Sequence, residues 1–205
     1  MRNLVNRVVN RQVKTIAKRG SAFFYLAAVM CMFLFAACKK NGAESSDEEQ
    51  AKSARDKSAN QEFINSNAAL PAQTVEELFQ VRAATEKYLD TAAAKADGFV
   101  NTGIQLPNMG LHFANFGRVT DGIFDLTKPE FLVYNKLPNG KFELVAVEYG
   151  VPIDPQHTNV PPAGFTGDAD EWDFNTLNLG LWTLHAWVWK TNPAGVFKME
   201  NPIVP

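Results

Sequence analysis

Ten of the eleven prolines in this 205-residue chain lie after residue 100. A proline inside a helix removes a hydrogen bond and clashes with the preceding turn. Long helices are therefore disfavoured in the C-terminal half, which reads as strand and loop. Upstream, Thr74 and Glu77 have the spacing of a capping box. Val75, Leu78, Phe79, Thr85, Tyr88, Leu89 and Ala92 follow at helical intervals, and Asp97-Gly98 closes the run. This pattern predicts one amphipathic helix over 75–96 with a single face to bury.

Strand signals follow. Phe131–Tyr134 and Phe142–Val151 are rich in β-branched and aromatic residues. Leu137-Pro-Asn-Gly140 between them supplies a proline for a turn and a glycine for positive φ. Leu181–Lys190 reads as a second strong strand and Leu111–Asn115 as a weaker one. One helix before several strands predicts an α+β fold: an N-terminal amphipathic helix packed on a mainly antiparallel sheet, with long Pro-rich loops.

The domain read this way, residues 74–205, holds 9 basic and 16 acidic side chains. That balance excludes a basic nucleic-acid binder, because phosphate contacts need clustered Lys and Arg. The domain also has no serine and no cysteine. Serine and cysteine nucleophiles are excluded from it. No Walker loop, no Gly-x-Gly-x-x-Gly and no His-Glu-x-x-His is present. Asp168, Asp170, Glu171 and Asp173 crowd one loop without the glycine and distal glutamate of an EF-hand, and read as an exposed acidic loop.

Three histidines remain. His112 and His185 sit inside apolar strands, whereas His157 sits in the Pro-rich loop. Glu148 stands mid-strand in Val145-Ala-Val-Glu-Tyr149, where a carboxylate is costly to bury without a partner. Two imidazoles and one carboxylate are the side chains of a facial metal site or of an acid/base pair. Glu148 is expected to share a face with Leu144 and Ala146, leaving room beside it. A divalent metal held by His112, Glu148 and His185 is one reading; a core histidine and a structural ion pair is the other. In an extended strand, Thr183, His185, Trp187 and Trp189 share one side. Their tryptophans read either as a large core or as an aromatic cage.

The N-terminus differs from the rest. The first 37 residues carry six Lys and Arg and no acid, leaving 14 basic and 22 acidic residues beyond them. Ser21–Ala37 is an uncharged apolar run of 17 residues, slightly short of the roughly 20 that a spanning helix needs. A basic segment, an apolar run and small residues before a cut are the marks of a secretory signal. An uncleaved anchor or a transit peptide are the alternatives. The site Phe35-Ala36-Ala37-Cys38 resembles a bacterial lipobox, which implies a signal peptide over 1–37 and lipidation of Cys38. Removal of Cys31 with the signal would leave no free thiol. Lys39–Gln73 is polar and poor in aromatics, so residues 38–73 are expected to be a flexible tether.

Met109-Gly110-Leu111-His112-Phe113-Ala114-Asn115 resembles a Met-Gly-x-His-x-x-Asn segment found in a group of uncharacterised bacterial exported domains. Leu144-Val-Ala-Val-Glu-Tyr149 and Leu184-His-Ala-Trp-Val-Trp-Lys-Thr-Asn-Pro-Ala-Gly-Val-Phe197 resemble later segments of that group, as does Asn201-Pro202. The likeness spans about residues 85–204, and Pro155–Asp173 departs from it. The resemblance points at His112, Glu148, His185 and the Asn-Pro turns Asn192-Pro193 and Asn201-Pro202, but names no reaction; Asn115 and Trp187 are taken with the His and Glu residues as candidate binding residues. The chain is therefore expected to be a lipid-anchored envelope protein that contacts the membrane through its N-terminal lipid. Lys39 stands where some bacteria use an acidic residue for inner-membrane retention, which favours the outer membrane. Its domain is expected to bind a small molecule or a protein partner. A small metal-dependent hydrolase and a purely structural lipoprotein are the alternatives.

Overall fold

The computed structural model describes residues 44–205. The signal segment, Cys31, Cys38 and the first residues of the expected tether lie outside the described residues. Four helices and one six-stranded antiparallel sheet make an α+β fold. The helices are α1 (Glu44–Ser66), α2 (Ala72–Thr85), α3 (Thr91–Ala96) and α4 (Phe116–Val119). The strands are β1 (Val100–Leu106), β2 (Gly110–Ala114), β3 (Phe131–Lys136), β4 (Phe142–Pro152), β5 (Asp173–Phe174) and β6 (Leu181–Ala186). Their order in the sheet is β1-β2-β3-β4-β6-β5. No helix among the described residues is long and apolar enough to cross a membrane.

The segment expected as a tether contains a 23-residue helix. Its residues from Glu49 to Glu62 are exposed all round, so no apolar periodicity announces it. Ala, Glu, Gln, Lys and Arg have good helix propensity, and the Gln61 amide donates to Asn65 Oδ1 one turn on. Its last turn is fixed to the domain. Phe63 is buried edge-on against Phe79, with ring centroids 5.3 Å apart, and under the Arg82 guanidinium.

The expected continuous helix over 75–96 is broken. A 3₁₀ turn, Glu86–Leu89, follows α2, and Asp90 then caps α3 by accepting the Ala92 N–H. A short aspartate that can bond its own backbone competes with helix continuation. The capping box is also diverted. Pro71 occupies the N-cap position of α2, and the Thr74 hydroxyl donates to the Thr166 carbonyl. Glu77 accepts both the N–H and the hydroxyl of Thr166. These two residues tie the helix to the long loop 153–172 instead of closing its first turn.

The hairpin of β3 and β4 turns at Leu137–Gly140, with Gly140 at φ 78°. β2, β3, β4 and β6 form the sheet centre. Phe113, Leu132, Val147 and Ala186 stand in register across it. They share a core with Leu78, Val81 and Tyr88 of the helical layer. The Tyr134 hydroxyl donates to the Tyr88 carbonyl and pins that layer to β3. Alternate residues point to the opposite face. There, Ala114, Phe131 and Leu181 make a second small core, with Val119 of α4 packed on it.

Candidate metal centre

Register places the three candidate residues on the face away from the helical layer. His112 pairs with Val133, and Val133 with Ala146. Glu148 pairs with Phe131 on one side and His185 on the other. His112 therefore reaches Glu148 diagonally across β3, over Val133 and Ala146. The gap between His112 Nε2 and Glu148 Oε2 is 3.4 Å, and that between His185 Nδ1 and Glu148 Oε1 is 3.9 Å. One ligand atom from each residue lies within 4.8 Å of the others.

A β-bulge shapes this floor. The pairing slips between Val133 and Tyr134, so Tyr134 faces Leu144 and leaves Val145 as the extra residue. Leu144 consequently turns to the helical face, contrary to the expectation that it shares Glu148's side. The Val145 carbonyl accepts the N–H groups of both Trp189 and Lys190. Bulges re-aim side chains in this way. Ala146 is left as the small neighbour beside Glu148.

His185 is 0% exposed, and His112 and Glu148 are 6% each. His112 Nδ1 and both ring nitrogens of His185 have no hydrogen-bond partner among the described residues. Buried polar atoms without partners are rare, and each asks for an explanation. Burial pushes the Glu148 carboxyl up to about 8, aided by the charge of Asp173 and opposed by the Thr183 hydroxyl. Burial, then the neighbouring His112, pushes His185 down to about 3. Burial also lowers His112, with backbone carbonyls of Ile104 and Gly110 opposing the shift. Near pH 7 the metal-free cluster is therefore mainly a neutral carboxyl beside two neutral imidazoles.

These groups have the chemistry of a transition-metal donor set: two neutral imidazoles and a carboxyl that can give up its proton. Ligands 2.0–2.2 Å from a tetrahedral ion lie about 3.3–3.6 Å apart. The His112–Glu148 separation falls in that range, His185 is a few tenths of an ångström wide of it from Glu148, and the three ligand atoms together lie within 4.8 Å.

Other expected residues take structural parts. Asn115 caps α4 through Oδ1 and donates from Nδ2 to the Asp97 carbonyl, which accounts for its polar groups without a ligand. Trp187 lies outside the strand, because β6 ends at Ala186 and the Trp187 N–H turns to the Val196 carbonyl. Its ring stacks on His185 at 5.8 Å and 14°, and its Nε1 donates to the Lys198 carbonyl. Trp187 thus props the imidazole and forms no cage with Trp189, whose Nε1 donates to Thr85. His157 is exposed and bonded to Asp154, away from the cluster. In the acidic loop, Asp170 accepts the Phe165 N–H and Glu171 pairs with Lys198.

Several residues above the cluster had no functional signal in the sequence. Ile104, Leu106, Met109, Phe131, Leu177 and Leu179 line a cavity of about 30 Å³ over His112 and Glu148. Gly150 gives Phe131 its place, since a Cβ there would lie 2.6 Å from the Phe131 ring. An isolated glycine in a strand, which often marks close approach, was the one available hint.

No protein-family model matches the chain, and no curated protein or solved structure matches it significantly.

Proposed function

We propose that this chain is an exported, lipid-anchored protein of the bacterial cell envelope whose domain binds a divalent transition metal through His112, Glu148 and His185. The observation that carries the metal reading is the convergence of a buried carboxyl with two buried imidazoles, where His185 Nδ1 faces the carboxyl and has no hydrogen-bond partner among the described residues. A structural ion pair would bring these groups into direct hydrogen bonds. Separations of 3.4 and 3.9 Å instead leave room between them. The envelope reading rests on the basic segment, the apolar run and the lipobox-like Phe35–Cys38, with the outer membrane favoured by Lys39.

The domain's role is to hold the metal and a small ligand upon it. A hydrolase would use the same three residues, with the metal supplying an activated water. Binding alone is favoured because no further buried acid or base lines the cavity above the metal ligands.

Elemental analysis of the purified full chain tests the proposal. About one equivalent of a transition metal is expected, lost on dialysis against a chelator and missing from Glu148→Ala. A chain that takes up no metal, even when refilled with zinc, cobalt or iron, would overturn it. The anchor is tested separately. Cys38→Ala should abolish incorporation of a labelled fatty acid, and undiminished labelling would refute lipidation there.

A further inference from the structure

We propose that the metal centre takes a small inorganic monoanion of no more than about three atoms, admitted beneath a flap formed by residues 175–180. This rests on the metal reading above and names the ligand class of that site.

All three metal ligands rise from the sheet floor, on β2, β4 and β6. An ion held there would meet the cavity on the side that His112 and Glu148 line. That roof is Ile104, Leu106, Met109, Phe131, Leu177 and Leu179, with Thr102 and Thr176 beside them. The Thr102 hydroxyl already donates to the His112 carbonyl, and the Thr176 hydroxyl is engaged by Thr183. The Met109 thioether is a soft ligand, poorly matched to hard or borderline ions. The protein therefore supplies three firm ligands and leaves the remaining coordination to something exogenous.

Charge selects what that is. A divalent ion with one carboxylate and two neutral imidazoles keeps one positive charge. Among apolar walls an uncompensated charge is disfavoured. A single monoanion brings the centre to neutrality. Asp173, opposite Thr183 on the edge strand, and the buried Glu130 are the other acidic groups whose charge reaches Glu148, and neither lines the cavity. Size selects further. About 30 Å³ is roughly twice what a single water needs, so the cavity admits a ligand of a few atoms and excludes a larger organic substrate.

The cavity is partly open, and its mouth runs past one part of the roof with an unusual backbone. Asn175, Leu177 and Asn178 have φ of 53°, 55° and 56°, and Gly180 has 76°. Leucine is unfavourable in this left-handed region, and such strain gathers at ligand clamps and switches. The segment is tied at its base. Asn175 Oδ1 accepts the Gly180 N–H at 2.8 Å, and the Asn175 N–H donates to the Leu181 carbonyl. Its tip carries Leu177 and Leu179, 44% and 38% exposed, as a thin lid between the cavity and water.

Azide titration of the cobalt(II)-loaded full chain, followed in the visible spectrum in chloride-free buffer, tests this. A saturable change with one azide per cobalt is expected. Leu179→Trp, which fills the cavity from a half-exposed position, should weaken azide at least tenfold with the cobalt stoichiometry unchanged. Leu177→Gly, which relaxes the strained flap, should bind azide at least as tightly as the parent and several-fold faster. Cobalt bound at one equivalent with no spectral response would overturn the anion site while leaving the metal reading intact. An azide response undiminished in Leu179→Trp would place the anion elsewhere and also overturn it. Failure to bind cobalt would overturn the metal reading and this proposal with it.

Discussion

His112 and Glu148 meet across a strand that belongs to neither of them, with Nε2 and Oε2 3.4 Å apart over β3. The contact depends on what lies beneath it, namely Val133 and Ala146, which present little bulk to the floor. Ala146→Phe should therefore part the two groups. The expected outcome is loss of metal uptake together with about 1–3 kcal/mol of stability, the usual cost of overpacking. Elemental analysis and chemical denaturation measure the two effects. Uptake unchanged in a folded variant would show that the diagonal contact is dispensable.

Replacing Glu148 separates metal binding from packing. Its carboxyl is held near 8 by burial and is mainly neutral in the metal-free domain. Glu148→Gln keeps the size and neutrality, so metal-free stability should change by less than about 1 kcal/mol while metal affinity is lost. Glu148→Ala leaves a hole and should cost about 1–3 kcal/mol. Equal losses for the two variants, seen in urea denaturation, would mean that the carboxyl is charged and structurally paired.

Glu130, which lies near Glu148 but is none of the three proposed ligands, gives its own pH signature. It is buried, accepts the Gly150 N–H, and is pushed up to about 7 by burial. Between its unfolded value near 4.5 and its folded value near 7, the native state holds more proton than the unfolded chain. Stability from this group is present at low pH and falls as pH rises across that interval. Glu130→Gln retains an acceptor for Gly150 and removes the titration. The variant should gain about 1–3 kcal/mol on the parent between pH 4.5 and pH 8. Thermal melts at both pH values check this, and a constant difference would refute it.

The end of α1 is held by one side chain. Phe63 fills a site between Phe79 and Arg82, and Asn67 bonds back to the Phe63 carbonyl. Phe63→Ala should cost about 3 kcal/mol or less, within the range for a buried aromatic at the margin of a core. Limited proteolysis should then cut between residues 60 and 71, where the parent resists. An unchanged digestion pattern would show that α1 is secured by other contacts.

Local sequence was sufficient wherever a local cause acts. The proline distribution kept long helices out of the second half, and Leu137-Pro-Asn-Gly140 specified the β3–β4 hairpin, because turn chemistry is written in adjacent residues. The oddity of a mid-strand Glu148 was equally legible, since a carboxylate among Val and Tyr has a desolvation cost wherever the strand goes. The stretch Ala51–Ile64 reads as a solvated linker in preference to a transient helix because α1 buries almost nothing, and periodicity detects burial, not helicity. Thr74 and Glu77 looked like a cap, yet Thr166, 92 and 89 residues away, won both groups.

Only the tertiary structure could decide the rest, because the rest is pairing between distant segments. Which strand lies beside which brings His112, Glu148 and His185 together. The bulge at Val145 sends Leu144 to the other face, and the Val196 carbonyl draws Trp187 out of the strand. The flap carrying Leu177 and Leu179 lies over the cavity through left-handed backbone that Asn175, Asn178 and Gly180 accept and Leu177 disfavours. The sequence by itself determined the residue types available for chemistry. Sheet order and register, set by the burial of two faces at once, determined which of them meet.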